Sequence, residues 1–375
     1  FEPVGEGRPM FHQTAAGGLL LTALVVSLSN CSSGLTNLSR RPDGSPVESR
    51  DWSPSGRDLQ GYELGIRTID CGPQVENLYD GRLIAASRDS IHPMNLRVSP
   101  ARFSEPTVTI WDATGVEHFS QELPDGTHTV RISRDGQECL FGAAIGVLEW
   151  SRQDRTVQPL LKTEHAPLAI SDNGQRVLVR DESDGQDLIR VLSLPDGREL
   201  GSMELAFCYS AQFVDDGRQL GLVGRSSEAD SLEAFVWDYI ANERTPGFGQ
   251  GTWRAAFSAD GARYAVVAEG NAVRVWDTRT GTMLYTTSEH SGDLWTMAFS
   301  PDGRYLASAG EGKQGPDNDV GEIRIWDAET GEEVTTIIDD TSWEVTALTF
   351  TPEGTELVSG NGDGVIRFWS VPHEP

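Results

Sequence analysis

The residues best suited to chemistry in this chain are His290, Ser308 and an acidic segment from Asp317 to Glu322. A histidine near a serine can act as a general base that activates the serine hydroxyl as a nucleophile. The sequence, however, lacks the motifs Gly-x-Ser-x-Gly, His-Glu-x-x-His, Gly-Lys-Ser/Thr and Cys-x-x-Cys, which build hydrolase, metalloprotease, phosphate and dithiol sites. The sequence therefore predicts no enzyme and no cofactor.

The segment Asp317-Asn318-Asp319-Val320-Gly321-Glu322 has a faint likeness to a calcium-binding loop. It lacks the third acidic position before the glycine, and the pattern is weak outside its helical context. We interpret it as a solvated acidic loop and predict no metal site.

An Asp-Gly-like turn followed by an apolar strand recurs along the chain. The strands centre on one position, occupied by Trp111, Trp150, Leu192, Trp237, Trp276, Trp326 and Trp369. These positions lie 39 to 50 residues apart, and such a period of short strands is typical of a ring of four-stranded blades. Asp-Gly favours hairpins because glycine adopts positive φ without steric cost. The pattern predicts an all-β domain from about residue 62, with these tryptophans in its core.

Two segments carry a resemblance to a known family. Ala298-Phe299-Ser300-Pro301-Asp302-Gly303-Arg304-Tyr305-Leu306-Ala307-Ser308, followed by Ile323-Arg324-Ile325-Trp326-Asp327, resembles a WD40 repeat. Trp-Asp recurs at Trp111, Trp237 and Trp276, and the resemblance covers residues 62–372. It implies a seven-bladed WD40-type β-propeller closed by an N-terminal strand. We expect Tyr62 to Ile69 to be that strand, paired beside Ile366 to Trp369.

The resemblance also implies structural roles for several polar residues. His290, Ser308 and Trp326 match three members of a hydrogen-bonded His-Ser-Trp-Asp set that braces WD40 blades, with Val320 at the Asp position. Ser359, Asp363 and Trp369 suggest the same bracing in the last blade, without a histidine.

The resemblance further implies a partner-binding position, four residues before the core residue of each first strand, at a bulge on the top face. Tyr209, Trp253 and Trp295 occupy this position in three consecutive repeats, with His128 earlier in the chain and Trp343 close by in the last repeat. Aromatic side chains suit recognition because they bury much area with few rotamers. We expect them to bind a protein or peptide; the alternative is that each ring packs on its own loop.

The N-terminal segment differs from the repeats. Ala15 to Ser29 is an uncharged apolar run that ends before Cys31, and Leu28-Ser29-Asn30-Cys31 resembles a bacterial lipoprotein box. We expect residues 1–31 to be a leader with lipid attachment at Cys31, 32–60 a flexible linker and 61–375 the propeller. The expected location is the bacterial cell envelope. A signal anchor, or a fragment of a longer membrane protein, is the alternative.

Composition narrows the classes of partner. The formal net charge is −27, and an acidic surface repels nucleic-acid phosphates. If Cys31 is acylated, three cysteines remain, so at least one of Cys71, Cys139 and Cys208 is unpaired. The leading hypothesis is a monomeric, lipid-anchored scaffold. Its alternatives are an extracytoplasmic sensor region of a membrane-spanning signalling protein and, less favoured, a propeller enzyme that uses the channel mouth.

Overall fold

The computed structural model describes most of the chain from Pro54 onward. The described ranges are residues 54–60, 68–71, 83–87, 107–112, 117–122, 129–132, 138–143, 145–165, 167–183, 186–225, 232–248, 255–313, 319–340, 344–361 and 365–372. They belong to one unit, Ser49–Pro375. Before residue 119, the only side chains described are those of Val108, Thr109 and Ile110. The predicted leader, Cys31, His128, Trp253, Trp343 and Asp363 lie outside the described residues.

Antiparallel strands in four-stranded sheets make up almost all of the described structure. The first strand, β1 (Pro54–Gln60), belongs to the last sheet. Sheet 1 contains β2 (Thr68–Cys71), β3 (Leu83–Ser87), β4 (Thr107–Asp112) and β5 (Glu117–Glu122). Sheet 2 contains β6 (Thr129–Ile132), β7 (Glu138–Ala143), β8 (Gly146–Ser151) and β9 (Val157–Lys162). Sheet 3 contains β10 (Ala169–Ile170), β11 (Arg176–Ser183), β12 (Gln186–Ser193) and β13 (Glu199–Leu205).

The later sheets repeat this order. Sheet 4 contains β14 (Phe207–Val214), β15 (Gln219–Arg225), β16 (Glu233–Asp238) and β17 (Glu243–Arg244). Sheet 5 contains β18 (Ala255–Phe257), β19 (Arg263–Val267), β20 (Val273–Asp277) and β21 (Thr282–Thr286). Sheet 6 contains β22 (Leu294–Phe299), β23 (Tyr305–Lys313), β24 (Asp319–Asp327) and β25 (Glu333–Asp339). Sheet 7 contains β26 (Val345–Phe350), β27 (Glu356–Asn361), β28 (Val365–Ser370) and β1.

The described strands form an all-β propeller. The first strand of each sheet lies against the first strand of the next, as β18 does against β22 and β22 against β26. Sheets 2 to 7 are described with their side chains, apart from β1, whereas sheet 1 is described mainly by its backbone. We call the end at which each first strand begins the top face, and the opposite end the lower face.

The repeated turn residues explain the hairpins on the lower face. In sheet 6, the Ser300 hydroxyl donates to Asp302 Oδ1 at 2.6 Å and accepts from the Tyr305 N–H at 2.9 Å. Gly303 follows with φ of 69°, a conformation that only glycine adopts at no cost. The Asp of Trp-Asp has a similar task, because Asp327 Oδ1 accepts the Thr330 N–H at 2.9 Å in the next turn.

The core lies between neighbouring sheets and contains most of the predicted tryptophans. Trp150, Trp237 and Trp326 are at most 1% exposed and Trp369 is 5% exposed. Trp276, by contrast, is half-buried and packs against the hydrophobic cluster of sheets 4 and 5, so it lies at the edge of the core. Trp276 lies at the boundary of sheets 4 and 5. The outer strand of sheet 4, β17, has only two residues and so covers little of sheet 5.

The strand that completes sheet 7 differs from the predicted one. Pro54–Gln60 pairs with β28, and Leu59 lies opposite Ile366, whereas Thr68–Cys71 begins sheet 1. The assignment of Tyr62 to Ile69 was therefore wrong, and the closing strand lies within the range predicted as linker. Outer strands such as β9 and β21 are largely exposed. An outer strand therefore needs few apolar residues, and the polar segment at Pro54 gave no clear strand signal.

Helix is nearly absent from the described residues. A three-residue 3-10 turn, Glu269–Asn271, is the one helical element with described bounds. No helix in the described ranges combines the length and the apolarity that a membrane crossing requires. The apolar run Ala15 to Ser29 lies outside those ranges.

Candidate partner-binding surface

A β-bulge at the start of the first strand shapes the top face. In β22 the register shifts between Leu294 and Thr296, which leaves Trp295 in the bulge. The same shift leaves Tyr209 in a bulge of β14 and Thr346 in one of β26. Gly310 in β23 lies opposite Leu294 and lets the two strands approach closely at the bulge. A Cβ added to Gly310 would lie 2.0 Å from the Asp293 carbonyl oxygen.

The predicted aromatic residues differ in exposure. Trp295 is half-buried and so presents part of its indole at the top face. Tyr209 is 9% exposed, packs with Phe207 at 5.9 Å between ring centroids, and belongs to the hydrophobic cluster at the boundary of sheets 4 and 5 that also contains Phe257 and Val266. Tyr209 therefore offers little surface to a partner, because its ring fills the space between two sheets. His128, Trp253 and Trp343 lie outside the described residues, so their roles stay predictions.

The surroundings of Trp295 are polar and acidic. Asp293 is exposed, and its Oδ1 accepts a hydrogen bond from Asn271 Nδ2 at 3.3 Å. The Glu311 N–H donates to the Asp293 carbonyl oxygen at 2.8 Å, and the His290 N–H donates to the Asn271 carbonyl oxygen at 3.1 Å. The two bonds of Asn271 join a loop of sheet 5 to the segment that leads into β22, and the Glu311 bond holds the backbone of Asp293, two residues before the indole. A rigid, partly exposed aromatic ring with polar neighbours is the anatomy of a recognition surface.

The predicted brace of sheet 6 forms in the structure. Trp326 Nε1 donates to Ser308 Oγ at 2.8 Å, and His290 Nε2 lies 2.7 Å from the same oxygen. Ser308 satisfies both neighbours if its hydroxyl donates to His290 Nε2, which places the imidazole proton on Nδ1. The His290 side chain is wholly buried, so it is out of reach of a substrate and its task is structural.

The acidic partner of this brace, Glu322, was not predicted from the sequence. Its Oε2 lies 3.9 Å from His290 Nδ1 and accepts the Ser291 N–H at 3.2 Å, while its Oε1 pairs with Arg324. Burial alone would raise the pKa of Glu322, but hydrogen bonds from Ser291 and Arg324 outweigh burial and lower it. Burial also lowers the pKa of His290 to about 4, so the imidazole is neutral at physiological pH. The spacing held a signal: Glu322 precedes Trp326 by four residues, so both face the same side of β24.

The predicted brace of sheet 7 is described in part. Trp369 Nε1 donates to Ser359 Oγ at 3.0 Å, whereas Asp363 lies outside the described ranges. A further ion pair joins sheets 6 and 7, because Asp339 at the end of β25 lies 3.1 Å from Arg367 Nη1. Asn361 also donates to Asp339.

Among the side chains that the structure describes, one group has ligand atoms close enough for a metal ion. Glu164, His165 and Asp181 bring such atoms within 4.8 Å of one another, and the first two are exposed. Asp181, however, is already paired with Arg190. A guanidinium in that place repels a cation, so the group fits an ion-pair network better than a metal site.

A cleft of about 490 Å³ lies between sheets 4 and 5 on the lower face, with Asp238, Asp260 and Asp277 in its lining. These carboxylates are used by their own turns: hydrogen bonds from the Thr280 N–H and hydroxyl lower the pKa of Asp277. Such a carboxylate stays ionised at neutral pH and is a poor proton donor. Asp277 is therefore a poor candidate for a general acid in this cleft.

Comparison with known proteins agrees with the fold. A family model described as WD domain, G-beta repeat matches residues 281–314 and 331–370, which comprise most of sheets 6 and 7. The chain carries WD40 repeats. WD40 propellers generally act as non-catalytic scaffolds that bind other proteins.

Similar proteins are WD repeat proteins from diverse organisms. An uncharacterized WD repeat-containing protein, sll1491 of Synechocystis sp., is 28% identical over 39% of this chain and 38% of its own length. The small ribosomal subunit protein RACK1 of Schizosaccharomyces pombe is 32% identical over 30% of this chain and 36% of its own. The WD repeat-containing protein slp1 of the same yeast is 29% identical over 31% of this chain and 22% of its own. The matches thus span less than two fifths of each relative's length.

Proposed function

We propose that this protein is a non-catalytic scaffold, a closed ring of seven WD40 blades that binds a protein or peptide partner on its top face. Seven four-stranded sheets support the number of blades, and contact between β26 and β2 supports closure of the ring. The observation that carries the binding role is Trp295, a half-buried indole in a bulge at the top face.

The position of Trp295 favours recognition over a purely structural role. Tyr209 occupies the equivalent bulge in sheet 4 and is buried at 9% exposure, whereas Trp295 keeps part of its ring in solvent. Contact between an apolar ring and water is unfavourable in free energy, and a partner that covers the ring would remove that contact. The exposed Asp293 beside it adds a charged rim to the same surface.

Site-specific crosslinking tests this surface. A photoreactive amino acid replaces Trp295 in one variant and Ile240 in another; Ile240 is 67% exposed in a lower-face turn. In intact cells, we expect a discrete adduct from position 295 and none from position 240. Equal adducts from both positions, or none from either, would contradict top-face binding.

A second experiment separates binding from stability. Trp295→Ala should prevent capture of the crosslinked partner while lowering the free energy of unfolding by less than the roughly 3–5 kcal/mol that truncation of a fully buried tryptophan costs, because Trp295 is only partly buried. Tyr209→Phe is the matched control and should leave capture unchanged. A large stability loss in Trp295→Ala would make the indole part of the core.

The proposal includes export and attachment to a membrane through a lipid on Cys31. The support is the apolar run Ala15 to Ser29 followed by Leu28-Ser29-Asn30-Cys31. An acyl anchor followed by a polar linker would hold the propeller near the membrane without inserting it. Cys31→Ser should release the protein into the soluble fraction, and labelling with an alkyne fatty acid should be lost. Retention of the variant in membranes would favour a signal anchor.

A further inference from the structure

Four sheets carry an arginine two residues before the tryptophan position of the third strand. These equivalent residues are Arg190, Arg274, Arg324 and Arg367. Arg190 is paired with Asp181, and Arg324 with both Glu322 and Glu333. Arg367 is paired with Asp339. Three of the four guanidinium groups are thus neutralised by carboxylates at the boundary between sheets.

Arg274 is the exception. It is half-buried, and in the part of the chain that the structure describes it makes no ion pair or side-chain hydrogen bond. Acidic residues outnumber lysine and arginine in this chain by 57 to 30. With so many carboxylates available, an arginine that pairs with none of them is unexpected. A partly desolvated guanidinium with no acceptor is costly, and an incoming carboxylate relieves that cost.

Sheets 5 and 6 differ at the positions that could supply an acceptor for Arg274. Arg324 faces Ser308 in β23, whereas Arg274 faces Val266 in β19. Glu333 lies opposite Trp326 on the outer strand, and Met283 takes that place opposite Trp276. Sheet 5 therefore retains the arginine and tryptophan of sheet 6 but has apolar residues where their acceptors would be.

At two further positions, a polar residue of sheet 6 is replaced by an apolar residue in sheet 5. Ala272 stands two residues before Arg274, where Glu322 stands before Arg324. Phe248 packs on Trp276 at 6.3 Å between ring centroids, much as His290 lies 6.1 Å from Trp326. As a result, Trp276 Nε1 is buried with no acceptor among the described residues.

The surface beside Arg274 is open and partly apolar. Met283 is 50% exposed and Trp276 is half-buried. The outer strand of the neighbouring sheet, β17, has two residues, whereas β13, β21 and β25 have seven, five and seven. The short strand leaves the sheet 5 side of this boundary less covered than its equivalents.

We propose that Arg274, Trp276 and Met283 form a second binding site, the Arg274 site, for a segment of another protein that carries an Asp or Glu side chain beside an apolar residue. The carboxylate pairs with Arg274, as Glu322 and Glu333 pair with Arg324, and the apolar residue packs on Met283. A charge-assisted pair with a guanidinium fixes orientation as well as affinity. The site is separate from the bulge at Trp295 and does not depend on the proposed top-face function.

The test uses the whole protein and a defined probe. Acetyl-Gly-Leu-Glu-Glu-Leu-Gly-amide is titrated against the protein while the arginine Nε–H resonances are followed by NMR, with Arg274 assigned by its loss in Arg274→Gln. We expect the Arg274 resonance to move, and the counterpart peptide with glutamine in place of glutamate to bind about tenfold more weakly. Because the protein carries a net charge of −27, general attraction cannot account for binding of this acidic probe.

Two variants make the outcome decisive. Met283→Glu gives Arg274 the acceptor that Glu333 gives Arg324, at an exposed position where the substitution is tolerated, and should block the probe. Arg324→Gln, the matched control, should lose stability but bind the probe normally, whereas Arg274→Gln should lose the probe and retain stability. Equal binding of the two peptides, binding unaffected by Arg274→Gln, or a stability loss in Arg274→Gln as large as in Arg324→Gln would each overturn the proposal.

Discussion

The side-chain amide of Gln212 in β14 forms both hydrogen bonds with the backbone of Phe257 in β18. Gln212 Nε2 donates to the Phe257 carbonyl oxygen at 3.1 Å, and the Phe257 N–H donates to Gln212 Oε1 at 3.1 Å. One side chain thus takes the place of a neighbouring strand between sheets 4 and 5. The first strands need such links because two sheets of a propeller share no backbone ladder.

We expect Gln212→Leu to lower the free energy of unfolding by about 1–3 kcal/mol, because two partly buried backbone groups lose their partners. Urea unfolding followed by fluorescence measures the change. Gln158→Leu is the control, since the side chain of Gln158 is exposed and bonds only to Glu149 at 3.3 Å. Similar losses in both variants would show that the bond to Phe257 adds nothing.

The brace of sheet 6 gives a second prediction. Ser308→Ala removes the acceptor of Trp326 Nε1 and the partner of His290 Nε2, and it should cost about 2 kcal/mol in a site closed to water. Thermal unfolding of this variant is compared with that of Ser202→Ala, whose side chain is exposed. If Ser308→Ala is as stable as the control, the trio does not brace the sheet.

Burial of His290 predicts a pH dependence of stability. The pKa of His290 is lowered from 6.5 to about 4, so below the upper value the unfolded chain binds a proton that the folded chain does not. Stability should therefore fall as pH decreases, by roughly 2 kcal/mol between about pH 7 and about pH 5. Urea midpoints across this range measure it. In His290→Phe, which copies Phe248 of sheet 5, this part of the slope should vanish; an unchanged slope would assign it to other groups.

The ion pair between sheets 6 and 7 gives a fourth prediction. Asp339 is 4% exposed, and Arg367→Gln would remove the guanidinium that lies 3.1 Å from its carboxylate, at a cost of about 2–4 kcal/mol. Arg218→Gln is the control, because Arg218 is exposed and lies 3.9 Å from Asp215, a kind of pair worth less than about 1 kcal/mol. Chemical denaturation of both variants measures the two losses in the free energy of unfolding. Equal small losses would mean that the ion pair with Arg367 adds little to the stability of the propeller.

The repeated turns and the third-strand tryptophans could be predicted because short-range chemistry determines them. The Ser300-x-Asp302-Gly303 turn is closed by its own side chains, and a Trp-Asp pair such as Trp326-Asp327 ends the third strand of several sheets. Such signals lie within one hairpin and need no information from the rest of the chain.

Features that depend on two distant segments could not be predicted in this way. The closing strand was misplaced because an outer strand carries few apolar residues, and pairing between β1 and β28 joins segments about 300 residues apart. The burial of Tyr209 depends on a hydrophobic cluster that includes Phe257 and Val266 of the next sheet. The half-buried state of Trp276 depends on the length of β17 in sheet 4.

Pairing of β1 with β28 has a mechanical consequence. The strands run antiparallel and Pro54 lies opposite Trp369, so the entering and leaving ends of the propeller emerge side by side. A force that pulls these two ends apart would break the hydrogen bonds of β1 one after another, starting at Pro54, rather than all at once. Traction on the N-terminal segment would therefore unzip the domain at its seam while the remaining sheets stay folded.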